Sequence, residues 1–210
     1  MSTSASPPPA PRPVRGWFTS DKEEVYIPGA GTLGMGLLLT ALGTLFLASI
    51  VSYLVIRFVR FAGQPWPPPG FPAPPASLWL STLVILSTSV TIHLAAAAVK
   101  HDRLAALGRY LVLTIALGAL FLLLQVFNAW EFVASFPPGF DLAGPYLGLF
   151  FVLTGLHAAH VIGGLIPLAI VWTRRSRYSA NFHPGVRYCA MYWHFLDVIW
   201  LILFSLICLL

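Results

Sequence analysis

The chain has 210 residues, of which 58% are hydrophobic and only 9% are charged. A soluble globular domain carries about 25% charged residues, so this composition excludes a soluble domain and indicates an integral membrane protein built as one domain. The net charge is +5. In a membrane protein such an excess of Lys and Arg sets the orientation in the bilayer, and we expect no nucleic-acid partner.

The beginning of the chain differs from the rest. Residues 1–30 are rich in Pro and Ser, and we expect a flexible extension followed, at 16–28, by a segment on the membrane surface. Residues 31–210 are predicted to form one membrane domain. Its five apolar runs are each long enough to cross about 30 Å of hydrocarbon: 31–58, 78–99, 107–132, 146–172 and 188–209. The predicted fold class is all-α, a bundle of five transmembrane helices.

The basic residues are distributed unevenly between the two sides of such a bundle. With five spans, ten of the 12 Lys and Arg residues lie on the side of the N-terminus, and Arg57 and Arg60 lie on the other. Cytoplasmic segments collect Lys and Arg, so the N-terminus is predicted inside and the C-terminus outside. Four or six spans would mix the basic segments between the sides.

The fourth run holds a stripe of small residues. Gly155, Ala159 and Gly163 recur every four residues and share one helix face, where small side chains let another helix approach closely. His157 and His160 fall on a different face. We interpret this helix as the centre of the bundle, with a packing side and a polar side, neither of them facing lipid.

The fifth run places His194 and Asp197 three residues apart on one face. A carboxylate at membrane depth needs a partner, and either a histidine of the fourth span or His194 itself can supply it. We therefore predict a structural polar seam between the fourth and fifth spans. Its members are His157, His160, His194 and Asp197.

A second interpretation of the histidines is a metal site. Two histidines three residues apart could hold a metal ion, and histidines on two helices could hold a haem. The sequence supplies no cysteine cluster, no second carboxylate at depth and no Glu-x-x-His pair. Structural histidines are therefore favoured, and neither a metal ligand nor a catalytic residue is predicted in this chain.

Two further groups of polar residues have predicted roles. Gln125 and Asn128 in the third span are expected to form hydrogen bonds between helices. After the fourth span, three arginines beside an interfacial tryptophan are either topology anchors or ligands for a lipid phosphate. These lipid-binding candidates are Arg174, Arg175, Arg177 and Trp172.

Two stretches resemble one protein family. They are 151–164, FVLTGLHAAHVIGG, and 192–201, YWHFLDVIWL. Together, and in this order, they resemble the signatures of subunit III of the haem–copper terminal oxidases, the cytochrome c oxidase type. Weaker matches lie at 79–82, 87–88 and 118–125, and the Pro-rich segment 64–75 is similar to that of bacterial members. The resemblance runs from residue 31 to the C-terminus, and five spans match the short bacterial form, which lacks the first two of seven helices.

The resemblance implies a non-catalytic subunit of a proton-pumping respiratory oxidase that transfers electrons from cytochrome c to oxygen. Such a subunit holds neither haem nor copper, which belong to partner subunits. It docks on subunit I, stabilises it, supports proton uptake and holds phospholipid. Subunit II and other respiratory subunits would complete the complex, in the bacterial plasma (inner) membrane. A nitric oxide reductase accessory subunit and a stand-alone haem-binding electron carrier are the alternatives.

The chain departs from the family pattern in its first span. Many members carry a glutamate there, at a position that falls near Leu42 in this sequence. Arg57 is the only charged residue within 31–58. A role associated with that carboxylate is therefore not carried over to this chain.

Overall fold

The computed structural model describes residues 29–65, 69–137 and 145–209. Their secondary structure is dominated by five long helices: α1 (Ala30–Val55), which continues as a π-helical turn (Ile56–Arg60), α2 (Ser77–Lys100), α3 (Leu104–Ala134), α4 (Pro145–Thr173) and α5 (Pro184–Leu209). All five are long and apolar enough to cross a membrane. The predicted all-α fold with five spans is confirmed. The segment 1–28, which makes up almost all of the predicted extension, lies outside the described residues.

The start of α5 differs most from the prediction. The helix begins at Pro184 rather than at residue 188. Proline fits the first turn of a helix, because an N–H at that position has no partner within the helix. Residues 184–187, Pro-Gly-Val-Arg, therefore belong to the helix, although the proline and glycine suggested a loop. Similarly, α3 begins at Leu104 rather than at 107.

Four helices form a ring, and α1 lies beside it. α2 packs along α3 and against α5, while α4 packs against both α3 and α5. In the described part of the chain, α1 contacts no long helix other than α4 and α5. Only 11% of the most apolar part of α1 is buried, compared with 44% for α2 and α5. α1 is therefore a peripheral helix.

Aromatic residues dominate the interior of the ring. Phe121, Trp193 and Trp200 are fully buried in the main core cluster between α2, α3, α4 and α5. A smaller cluster attaches α1 through Phe46 and Tyr53, which pack against residues of α4 and α5. Within a bilayer such contacts act through close packing, because lipid tails are as apolar as the side chains.

Candidate functional site

A polar cluster connects α2 with α5 at mid-depth. The Ser89 hydroxyl of α2 donates a hydrogen bond to Asp197 Oδ2. The serine oxygen itself, Ser89 Oγ, lies 2.9 Å from His194 Nδ1. Asp197 is only 4% exposed. Its second oxygen, Oδ1, is buried and has no hydrogen-bond partner among the described residues. One serine thus holds both polar residues of α5 in place.

This arrangement corrects the predicted partner of Asp197. The sequence offered a histidine of the fourth span or His194 as the partner, but the carboxylate accepts its hydrogen bond from Ser89 of α2. The reason lies in the rotation of α5, which packs between α2 and α4. On that helix, Trp200 lies between the two neighbours: its ring is 5.0 Å from that of His157 of α4, and its Nε1 donates to Thr82 Oγ1 of α2 at 3.0 Å. Of the two partners that the sequence left open, His194 shares the serine of Asp197 and the α4 histidines do not.

His157 lies in an aromatic enclosure. Its side chain is fully buried, with the rings of Phe121 and Trp200 at 5.8 and 5.0 Å. Neither ring nitrogen has a hydrogen-bond partner in the described part of the chain. Within the same residues, no three His, Cys, Asp or Glu side chains form a group that could hold a metal ion. A structural role for His157 fits these surroundings and remains a prediction.

The contact between α4 and α5 depends on a residue that the sequence analysis missed. The Tyr192 hydroxyl donates a hydrogen bond to the backbone carbonyl of His160 at 2.9 Å. Gly164, one turn further along α4, leaves room for the tyrosine ring, since a Cβ built there would lie 2.7 Å from Tyr192 Cε1. The His160 ring bonds within its own helix, with Nδ1 2.7 Å from the Leu156 carbonyl. The available signal was Gly164, which lies four residues after His160 and so on the same face of the helix.

The stripe of Gly155, Ala159 and Gly163 is not a close-packed face between helices of the ring, and a Cβ on Gly163 would meet only Tyr192 Oη of α5, at 3.8 Å. All three residues are exposed, and a Cβ built on Gly155 would meet nothing within 4 Å. This differs from the predicted packing role within the bundle. Gly155 instead lines a groove of about 240 Å³ between α3 and α4. The remaining lining is mostly apolar: Leu122, Gln125, Val126, Ala129, Phe150, Phe151, Thr154, Ala158 and Ile162.

A second polar seam joins α2 to α3. Asn128 Nδ2 donates to Ser81 Oγ at 3.2 Å, and Gln125 Nε2 approaches the same oxygen at 3.5 Å. Where α2 begins and α3 ends, Ser77 donates to Glu131 Oε2 at 2.6 Å. The serines of α2 were not singled out by the sequence analysis as hydrogen-bonding partners, although they receive the polar groups of both neighbouring helices.

The arginines after α4 have different environments. Arg175 lies over the Trp172 ring at 5.0 Å and donates to the Trp172 carbonyl at 3.0 Å. A Cβ built on Gly108 of α3 would lie 3.1 Å from its side chain. Arg175 therefore caps α4 and packs on α3, while Arg174 and Arg177 remain exposed. Burial raises the pKa of the neighbouring Tyr178 hydroxyl.

Comparison with known proteins decides the family. The family model described as cytochrome c oxidase subunit III matches residues 23–209. The chain belongs to the cytochrome c oxidase subunit III family. Among curated relatives, it is 34% identical to the cytochrome c oxidase subunit 3 of Thermostichus vulcanus over 86% of this chain and 87% of that protein. It is 32% identical to that of a Synechocystis strain, over 92% of this chain and 85% of the relative. The protein of that name from Patiria pectinifera is 34% identical over 93% of this chain and 78% of its own length.

As a subunit III, this chain carries the half-buried Leu42 of α1 near the position where the resemblance led us to look for a carboxylate. One turn further, Phe46 is fully buried, and its ring lies 5.1 Å from that of His160. In this subunit III the approach of α1 to α4 is therefore made by aromatic packing at the level of the histidines.

Proposed function

We propose that this chain, as a subunit III of a haem–copper oxidase, serves as a non-catalytic support for subunit I. It stabilises the catalytic subunit, holds phospholipid and assists proton uptake, while cytochrome c oxidation and oxygen reduction take place at haem and copper centres of partner subunits. The proposal rests on one observation, the family match that extends over residues 23–209. The comparisons favour neither a nitric oxide reductase accessory subunit nor an electron carrier.

Phospholipid is proposed to occupy the groove between α3 and α4. Its lining is almost entirely apolar, which suits an acyl chain, and Gly155 leaves the space open. A headgroup site is proposed at Arg174 and Arg177, which are exposed at the basic end of α4. Arginine offers a planar fork of donors to a phosphate. Arg175 differs from these two in that its guanidinium donates one of its hydrogen bonds to the Trp172 carbonyl.

The chain is a multi-pass membrane protein, and we place it in the bacterial plasma membrane with its N-terminus inside. This orientation is supported by the position of the basic residues. Most of them lie before the first span or in the segments after the second and fourth spans, which are all on the same side of the membrane. Subunit I is proposed as the main contact and subunit II as a further member of the complex.

Co-purification tests the proposed function. An affinity-tagged chain is extracted in mild detergent, the bound proteins are identified, and haem is measured optically. We expect subunits I and II, with haem spectra that disappear when the tagged chain is isolated from them. A Soret band that stays with the isolated chain would instead indicate an electron carrier, and recovery of a nitric oxide reductase without an oxidase would assign the chain to that complex.

A further inference from the structure

The polar cluster of Ser89, His194 and Asp197 reaches the outer surface of the bundle at His93. The His93 ring lies 6.5 Å from that of His194, and the side chain is exposed. Around the two histidines the surface is apolar, with Val90 60% and Val198 57% exposed. We define the α2–α5 outer face by these residues together with two flanking leucines: Val90, His93, Leu94, His194, Val198 and Leu201.

The depth of this face rules out contact with water or lipid headgroups at the surface. His93 is seven residues from the end of α2 at Lys100, or about 10 Å along the helix axis. His194 is ten residues from the start of α5, or about 15 Å. Both therefore lie within a hydrocarbon layer about 30 Å thick. Ionisable side chains at such depth normally face protein or a water-filled cavity, because lipid offers them no hydrogen bond.

The hydrogen bonds inside the cluster show which hydrogen-bonding groups on this face have no partner. Ser89 has a single hydrogen, which it donates to Asp197 Oδ2. With the serine hydrogen donated to Asp197, we assign His194 Nδ1 as the donor to the serine oxygen, which leaves Nε2 of the neutral imidazole as an acceptor. Neither His194 Nε2 nor His93 has a hydrogen-bond partner among the residues that the structure describes. The face therefore presents at least one acceptor without a donor.

We propose that the α2–α5 outer face is the docking surface for a transmembrane helix of another oxidase subunit, which supplies an N–H or O–H donor to the imidazoles. Another open side of the ring, the apolar groove between α3 and α4, suits an acyl chain better than a polar helix. The side between α4 and α5 is covered by α1. This inference rests on the proposed function, because it takes its partner from the same complex.

Site-specific photo-cross-linking tests the proposal in the assembled complex. A photoreactive amino acid is introduced at Val90 or Val198 on the α2–α5 outer face. The matched control carries it at Val126 of α3, which is 70% exposed at the groove on the opposite side. We expect adducts with another oxidase subunit from Val90 and Val198, and none from Val126. Adducts with lipid alone, with a second copy of this chain, or with a subunit only from Val126 would overturn the proposal.

A pair of histidine variants tests whether the docked helix supplies a hydrogen-bond donor to His93. His93→Leu should lower retention of the chain in the complex during detergent titration by about threefold or more, the effect of one lost interhelical hydrogen bond. His101→Leu makes the same change at an exposed histidine outside the face and should have no effect. Equal retention of the two variants would refute the role of His93. Wild-type co-purification reports on the proposed function separately: if the wild-type chain assembles and the cross-links fail, only the docking face is wrong. If the wild-type chain does not assemble, both proposals fail.

Discussion

Replacing Gly164 by alanine should destabilise the packing of α4 on α5. The new methyl group would lie 2.7 Å from Tyr192 Cε1, 3.2 Å from Cδ1 and 3.7 Å from Trp193 Cε2. Neither ring moves freely, because Trp193 is fully buried and the Tyr192 hydroxyl is bonded to the His160 carbonyl at 2.9 Å. Inserting a methyl group into a closely packed site costs about 1–3 kcal/mol. If the tyrosine rotates away, its lost hydrogen bond accounts for about 0.5–1.5 kcal/mol of that cost.

The matched control for this substitution is Gly155→Ala. It is the same change on the same helix, at a site where the new methyl group meets nothing within 4 Å. Thermal unfolding in detergent compares the two. For a chain of this size, each kcal/mol corresponds to about 2–4 °C in Tm, so Gly164→Ala should unfold several degrees below Gly155→Ala. Combining Gly164→Ala with Tyr192→Phe should give less than the sum of the separate losses. Equal Tm values for the two alanine variants would show that the tight contact at Gly164 does not limit stability.

Four further outcomes are expected. Ser89→Ala should lower the free energy of unfolding by about 1–3 kcal/mol, because it removes the partner of the buried Asp197 carboxylate. Asp197→Asn should be milder because it keeps the shape and some hydrogen bonds, and equal Tm values for the two variants would contradict this. Arg177→Gln should reduce bound anionic lipid, measured by mass spectrometry, without changing Tm, whereas Arg175→Gln should lower Tm. Gly155→Leu should also reduce bound phospholipid while leaving the Tm of the isolated chain unchanged, and unchanged lipid content would count against the groove as its site. Protease added to intact right-side-out cells should leave the N-terminal extension uncut, and cleavage there would indicate the opposite topology.

The existence and number of the helices were predictable from sequence because a bilayer leaves few choices. A backbone in hydrocarbon must satisfy its own hydrogen bonds, so each apolar run of sufficient length becomes a helix. Their ends were less predictable. Pro184 and Gly185 resemble loop residues, yet proline is compatible with the first helical turn, and the helix starts there.

The rotation of each helix was the part that sequence did not determine. α4 is apolar on nearly all sides, so periodicity does not distinguish the face of Gly155 from the face of Gly164. Both are glycines in the same run, but only Gly164 lies against an aromatic ring. The predicted seam between α4 and α5 failed for the same reason. Asp197 was correctly recognised as needing a partner, but a serine of α2 supplies it, and serine is too common in membrane helices to be singled out from one sequence.

The peripheral position of α1 has a consequence for the way the chain is built. Of the five described helices, α1 is synthesised first, yet the helices against which it packs, α4 and α5, are synthesised last. The early helix must therefore reside in the bilayer without its final neighbours while the other four helices are still being synthesised. The apolar side chains of α1 are distributed evenly around the helix, so no polar face is exposed to lipid before α4 and α5 are made. Order of synthesis and order of packing thus run in opposite directions for this helix.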